Sequence, residues 1–159
     1  MTYSNIEKIH GKYLSLKVNN QINRIFFEEN GNGIPLICLH TAGSDSRQFR
    51  HLLNNKEITS KYRVIAFDLP WHGKSDPPAN HLENEYKLTT KSYMDIIVNF
   101  CKALKILNPV VIGCSMGGRI ALHLALKHSN LFKAVIALEG ADKREPDYDL
   151  SWLNSPDVH

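Results

Sequence analysis

Four short apolar runs, separated by segments with helical features, constrain the fold of this 159-residue chain more than any other feature. The runs cover residues 35–39, 63–68, 110–113 and 134–138. Continuous apolar runs of this length are typical of strands covered on both faces, and strands that alternate with helices form parallel sheets through right-handed crossovers. Because ligands of such sheets bind at the carboxyl ends of the strands, functional residues are expected there.

Two more strands and three helices complete the predicted pattern. Residues 13–18 alternate between apolar and polar, and residues 24–29 form a second strand that ends in the turn Asn30–Gly33. The predicted helices cover about 46–54, about 90–107 and about 116–127. Ser44 or Asp45 caps the first of them, Thr89 or Thr90 opens the second, and Pro109 ends it.

Composition excludes several function classes. Hydrophobic residues make up 43% and charged residues 22% of the chain, which is typical of a globular domain, and the scattered basic residues behind the net charge of +3 argue against a nucleic-acid partner. No apolar run approaches the roughly 18 residues of a membrane span, and the N-terminus has no apolar signal region. Cys38, Cys101 and Cys114 form no pair of close spacing, so we expect free thiols, a cytoplasmic location, no metal and no cofactor.

A glycine-rich turn around Ser115 carries the strongest chemical signal. Gly113, Ser115 and Gly117 form the pattern G-x-S-x-G where an apolar strand meets a helix. Side chains at the two glycine positions would clash in so tight a turn, which holds the serine oxygen above the sheet edge. The amide of Met116, at the helix N-terminus, favours an anion. The alternative interpretation is a closely packed junction without a chemical role.

The segments His40–Gly43, Asp68–Ser75 and Gly113–Gly118, in this order, resemble the N-terminal half of an α/β-hydrolase. The resemblance extends from about residue 13 to residue 142. It implies a three-layer α/β sandwich with a mostly parallel sheet, in which Ser115 is the nucleophile. It also implies that the chain stops before the cap and the last strands of that fold, with residues 1–141 as the core and 142–159 as a tail, linker or start of the cap.

The resemblance also assigns an oxyanion hole. Met116 provides one amide, and Ala42 provides the second by its position in the loop after the first core strand. Thr41 stands where the family usually has glycine, so its hydroxyl lines the pocket. His40 is implied to brace this loop. Trp71, in the segment that otherwise forms a structural turn, is a candidate pocket residue.

An activated serine needs a histidine base and a carboxylate that orients it. In some branches of the family the acid follows the strand after the nucleophile helix, and Glu139 stands there, 24 residues after Ser115. Asp142 is the weaker candidate, and Glu139 could instead cap a nearby loop. The base normally follows the last strand, which the chain does not reach, so His72 is the only local candidate.

These features predict a serine hydrolase that acts on a carboxylic ester or related acyl bond of a small molecule. Two alternatives stay open: a non-catalytic ligand-binding or scaffold relative that lacks the histidine, and an acyltransferase on the same scaffold. Because strand 134–138 would leave an open apolar edge, the sequence also predicts self-association through that edge.

Overall fold

Six strands form one sheet in the order β1-β2-β4-β3-β5-β6. The computed structural model describes residues 6–18, 21–77, 82 and 88–140. The β1–β2 and β2–β4 pairs are antiparallel, whereas the pairs among β3, β4, β5 and β6 are parallel. The mostly parallel sheet predicted from the sequence is confirmed. The strands are β1 His10–Val18, β2 Gln21–Asn30, β3 Ile34–Leu39, β4 Tyr62–Phe67, β5 Val110–Cys114 and β6 Ala134–Leu138.

Helices cover both faces of the sheet and make the predicted three layers. Short helices follow β3 on one face, and two longer helices pack on the other. The 3-10 turn before α1 is capped by Asp45, whose carboxylate accepts a hydrogen bond from the Arg47 amide at 2.9 Å. The proposed tail 142–159, with Asp142, lies outside the described residues. The helical elements are the 3-10 turn Ser46–Phe49, α1 Arg50–Asn54, α2 Lys56–Thr59, α3 Thr90–Ala103, α4 Met116–Lys127 and the 3-10 turn Ser129–Leu131.

The apolar runs of β3, β4 and β5 are continuous because alternate residues of these strands are buried on opposite faces of the sheet. In β3, Ile37 and Leu39 pack in the cluster under α3 and α4, whereas Leu36 and Cys38 pack in the cluster under α1. Each of these four side chains is at most 7% exposed. A strand between two helical layers therefore has no solvent face that would require polar residues.

The chain diverges toward opposite faces of the sheet at the carboxyl ends of β3 and β5. The two strands are neighbours, with Leu39 opposite Gly113, but the chain leaves β3 toward α1 on one face and leaves β5 toward α4 on the other. This divergence is the arrangement at which open α/β sheets bind ligands. The loop that begins at His40 and the turn at Ser115 lie on its two sides.

Helix α3 ends earlier than the sequence predicts. It stops at Ala103 rather than near Leu107, because the amide of Ile106 bonds to the Cys101 carbonyl at 2.8 Å and the amide of Lys105 bonds to the Lys102 carbonyl at 3.1 Å. These two bonds form a Schellman motif around Lys105, whose φ is 54°. Pro109 is therefore not what ends the helix, and Leu107 lies beyond the helix and is 79% exposed.

Replacement of Lys105 by glycine should stabilise the fold. A side chain in the left-handed region costs about 1–2 kcal/mol, partly offset by the greater chain entropy of glycine, so Lys105→Gly should raise the free energy of unfolding by about 1 kcal/mol. Lys102→Gly, the same substitution inside α3, should lower it by a similar amount. Urea unfolding of the two variants checks this, and destabilisation of both by equal amounts would contradict the motif.

Candidate active site

The backbone turn at Ser115 is strained and exposed. Ser115 has φ 50° and ψ −112°, in a region that L-residues rarely adopt. Its amide donates to the Leu138 carbonyl at 2.8 Å, and its carbonyl accepts from the Arg119 amide at 2.8 Å. The turn thus links β5, α4 and β6 and leaves the serine side chain at the surface. The predicted sharp bend is present at this position.

Glycine is required on both sides of the serine by close backbone contacts. A Cβ on Gly113 would lie 2.2 Å from the Gly117 carbonyl oxygen, and a Cβ on Gly117 would lie 2.2 Å from the Leu39 carbonyl oxygen. The second contact shows that the first turn of α4 lies directly against the end of β3. The amides at the start of α4, which have no carbonyl partner within the helix, therefore adjoin the His40 loop.

The steric interpretation predicts a large difference between two glycine substitutions. Gly117→Ala should lower the free energy of unfolding by about 3 kcal/mol, because the new methyl group would overlap main-chain atoms of β3. Gly43→Ala, where φ is 67° and nothing lies within 4 Å of the added Cβ, should lower it by only about 1 kcal/mol. Urea unfolding measures both values, and equal losses would show that α4 does not contact β3 closely.

The loop with Ala42 is a tight turn that is held at its start. The Ser44 amide bonds to the Thr41 carbonyl at 3.3 Å, and Gly43 takes the left-handed conformation. The Thr41 amide donates to Gln48 Oε1 at 2.9 Å. The Ala42 amide is not used by the turn itself and lies in an exposed residue. Gln48 could not be predicted from the sequence, since no pattern marks a glutamine seven residues along as the partner of this loop.

His40 braces this loop and has no nitrogen left for catalysis. The ring is fully buried, its Nε2 accepts from the Leu69 amide at 3.2 Å, and Nδ1 lies 2.8 Å from the Thr41 carbonyl oxygen. Because Nε2 accepts, the proton must be on Nδ1, which donates to Thr41. Burial lowers the pKa of His40 below its usual range, although the bond to the Thr41 carbonyl acts in the opposite direction.

The segment after β4 forms a compact turn around the Asp68 carboxylate. One oxygen accepts from the Ser46 amide at 2.7 Å and the other from the Lys74 amide at 2.8 Å. The buried Ser75 hydroxyl donates to the Asp68 carbonyl at 2.7 Å and accepts from the Phe26 amide at 2.8 Å. Trp71 is in the left-handed conformation and 45% exposed, and its role as a pocket residue stays a prediction.

Glu139 lies next to the serine turn at the end of β6. Leu138 is opposite Cys114 in the β5–β6 register, so Ser115 and Glu139 are the residues that leave the two strands. The Glu139 side chain is exposed, and its Oε2 accepts a weak hydrogen bond from the Cys114 thiol at 3.9 Å. Glu139 is itself in a left-handed turn with φ 51°.

The hydrogen bonds of His40 and His72 go to the main chain and not to the Ser115 hydroxyl. The local candidate, His72, has Nδ1 3.0 Å from the Pro70 carbonyl oxygen and packs its ring against His40, with centroids 4.9 Å apart. The same part of the chain holds no group of three or more His, Cys, Asp or Glu residues that could bind a metal.

The buried neutral His40 should make folding stability depend on pH. Its folded-state pKa lies below the usual 6.5, so the unfolded chain takes up the proton first and stability is lost as the pH falls below about 6.5. The slope from this residue is at most about 1.4 kcal/mol per pH unit. Urea unfolding between pH 7 and 5 should show a smaller loss in His40→Gln than in the wild type. The exposed-site control His51→Gln should keep the full loss, and an unchanged slope in His40→Gln would contradict this assignment.

A family model of the alpha/beta hydrolase fold matches residues 34–156. An uncharacterised hydrolase of Bacillus subtilis, YugF, is 28% identical over 116 residues, which are 72% of this chain and 40% of YugF. A 1-acylglycerol-3-phosphate O-acyltransferase of Arabidopsis thaliana is 30% identical over 134 residues, 83% of this chain and 31% of the relative. The structure of an esterase from Thermogutta terrifontis matches with a TM-score of 0.66 at 22% identity, over 79% of this chain and 44% of the esterase. The chain belongs to the alpha/beta hydrolase family, as its serine turn and His40 loop had indicated.

The chain spans less than half the length of these relatives. In the described part of the chain, no helix is long and apolar enough to cross a bilayer.

Proposed function

We propose that this chain carries the nucleophile and the oxyanion hole of a serine hydrolase that cleaves carboxylic esters or related acyl bonds. The observation that carries the proposal is the strained, exposed conformation of Ser115 at the N-terminus of α4. Such strain persists only where the surrounding packing enforces it, and here glycine contacts to β3 do so. The relatedness to YugF, a hydrolase, and the fold shared with an esterase support the reaction class.

In the proposed reaction, Ser115 Oγ attacks the carbonyl carbon of the substrate, and the amides of Met116 and Ala42 bind the resulting oxyanion. The start of α4 supports the first role, because its amides and the helix dipole favour negative charge. The turn at Thr41–Ser44, held by Gln48 and His40, supports the second. The base takes the Ser115 proton and gives it to the alcohol that leaves when the intermediate collapses and the ester bond breaks. Water then attacks the acyl-serine and releases the acid and the free serine.

Glu139 is the proposed acid of the triad. Its position supports this role, because it leaves β6 beside the residue where Ser115 leaves β5 and lies on the same sheet edge. It would hold the imidazole of the base in its reactive tautomer. We infer that this base is a histidine outside the described residues, since both nitrogens of His40 are already hydrogen bonded.

A fluorophosphonate probe tests the nucleophile directly. The probe should label Ser115 slowly, and imidazole added as an external base should accelerate labelling by about tenfold or more, because general-base assistance supplies 10²–10⁴ in rate. Mass spectrometry locates the adduct. Ser115→Ala should lose the adduct, whereas Ser129→Ala, which replaces an exposed serine at the opposite end of the parallel strands, should keep it. Absence of a Ser115 adduct even with imidazole would favour the non-catalytic alternative, and rapid labelling that imidazole does not accelerate would show that the chain supplies its own base.

Acyl transfer to a hydroxyl acceptor is the second candidate, favoured by the 30% identity to the Arabidopsis acyltransferase over 83% of this chain. Both reactions pass through the same acyl-serine, so they differ only in what attacks it. Product analysis with a p-nitrophenyl ester, imidazole and glycerol separates them. A hydrolase should give mainly free acid, whereas excess glycerol ester over the uncatalysed ratio would indicate a transferase.

A further inference from the structure

A groove lies at the sheet end opposite the serine turn, where the chain leaves α3 and approaches β6. Its volume is about 370 Å³, within the range of roughly 300–1,000 Å³ typical of small-molecule sites. The groove is built by the last turns of α3, the Schellman loop and the 3-10 turn before β6. The lining residues include Cys101, Lys102, Lys105, Ile106, Leu107 and Phe132.

The floor of this groove is apolar and its rim is cationic. Ile106 is buried, Phe132 is half-buried, and burial raises the pKa of Cys101 to about 12, so the floor carries no charge at neutral pH. Lys102 and Lys105 are exposed at the rim, and no lining residue is acidic. The surrounding sequence adds to this bias, because residues 96–138 contain five basic residues and neither Asp nor Glu.

The position of Lys105 is a second indication that this side chain has a role. It occupies the left-handed residue of the Schellman motif, where glycine fits without strain. The chain has nine glycines, but the residue at this left-handed position beside the groove is a lysine. Leu107, next along the same loop, projects an apolar side chain that is 79% exposed.

We propose that this groove binds a small amphiphile with one anionic head group and an unbranched apolar chain, such as a fatty carboxylate or an alkyl phosphate. The chain lies on the floor around Ile106 and Phe132, and the head group lies between the ammonium groups of Lys102 and Lys105. The site is separate from the proposed catalytic centre, since α4 and β5 run the full distance between the two sheet ends.

Decanoate below its micellar concentration tests the site, read by amide chemical shifts of ¹⁵N-labelled protein. Shifts should concentrate in residues 101–108 and 130–132 and leave the Ser115 turn and the His40 loop unchanged. Affinity should rise about fourfold per methylene from hexanoate to decanoate, as expected when the chain is buried. Decyltrimethylammonium, with the opposite charge, should bind at least fivefold more weakly. Shifts confined to the serine turn, or equal binding of both head groups, would overturn the proposal.

Lysine variants separate loss of charge from loss of fold. Lys105→Gly keeps the backbone conformation and should weaken decanoate binding about threefold, as should Lys102→Gln, with about tenfold for the double variant. Lys17→Gln, an exposed lysine on β1, should bind as the wild type does. Unchanged affinity in the double variant would overturn the role of the lysines.

A lipid surface also presents anionic head groups joined to apolar chains, so a separate experiment must distinguish it from a free amphiphile. Vesicles of phosphatidylcholine with and without phosphatidylglycerol should not cosediment the protein, because the proposed groove takes a single chain. Cosedimentation with the anionic vesicles, together with absence of decanoate shifts at the groove, would replace the proposed free ligand with a membrane surface.

Discussion

Main-chain contacts at three glycines hold together the part of this molecule on which its chemistry depends. Gly117 meets the Leu39 carbonyl, Gly113 meets Gly117, and a Cβ on Gly118 would lie 2.5 Å from the Leu138 carbonyl oxygen. Three parallel strands and one helix therefore converge without intervening side chains. The strained conformation of Ser115, which costs on the order of 1–3 kcal/mol, is a consequence of this packing, because no relaxed turn joins β5 to α4 at such short distances.

The sheet and the serine turn were predictable because their signals are local and redundant. A strand such as β3 has apolar residues on both faces only because helices cover both, and that requirement appears directly as the run Leu36–Leu39. The glycines around Ser115 are equally direct, since each marks a position at which any Cβ would overlap the backbone. Asp45 could be found as a cap because its bond to Arg47 spans two residues.

The end of α3 and the contacts around the serine turn could not be predicted, because they depend on distances between segments that the periodicity of the sequence does not encode. Lys105 ends α3 although a lysine is usually a good helix former, and only the two Schellman bonds reveal it. Gln48 holds the Ala42 turn, and Cys114 reaches Glu139 across the β5–β6 register. The exposure of Glu139 could not be predicted for the same reason, because whether a strand end is buried depends on what packs beside β6, which its own residues do not specify.

The polarity of the parallel strands gives the two sheet ends opposite electrostatic character. Because α4 runs antiparallel to β5, its N-terminus lies at the carboxyl end of the strand, where its dipole favours an anion such as the proposed oxyanion. The C-termini of α3 and α4 lie at the other end, and Lys102 and Lys127 in their last turns complement the negative ends of the dipoles. At the groove the negative end of the α3 dipole and an anionic ligand compete for the same lysines, because the α3 carbonyl groups attract the ammonium groups that would bind the anionic head group. The apolar floor must therefore supply most of the affinity, and the lysines mainly orient the ligand.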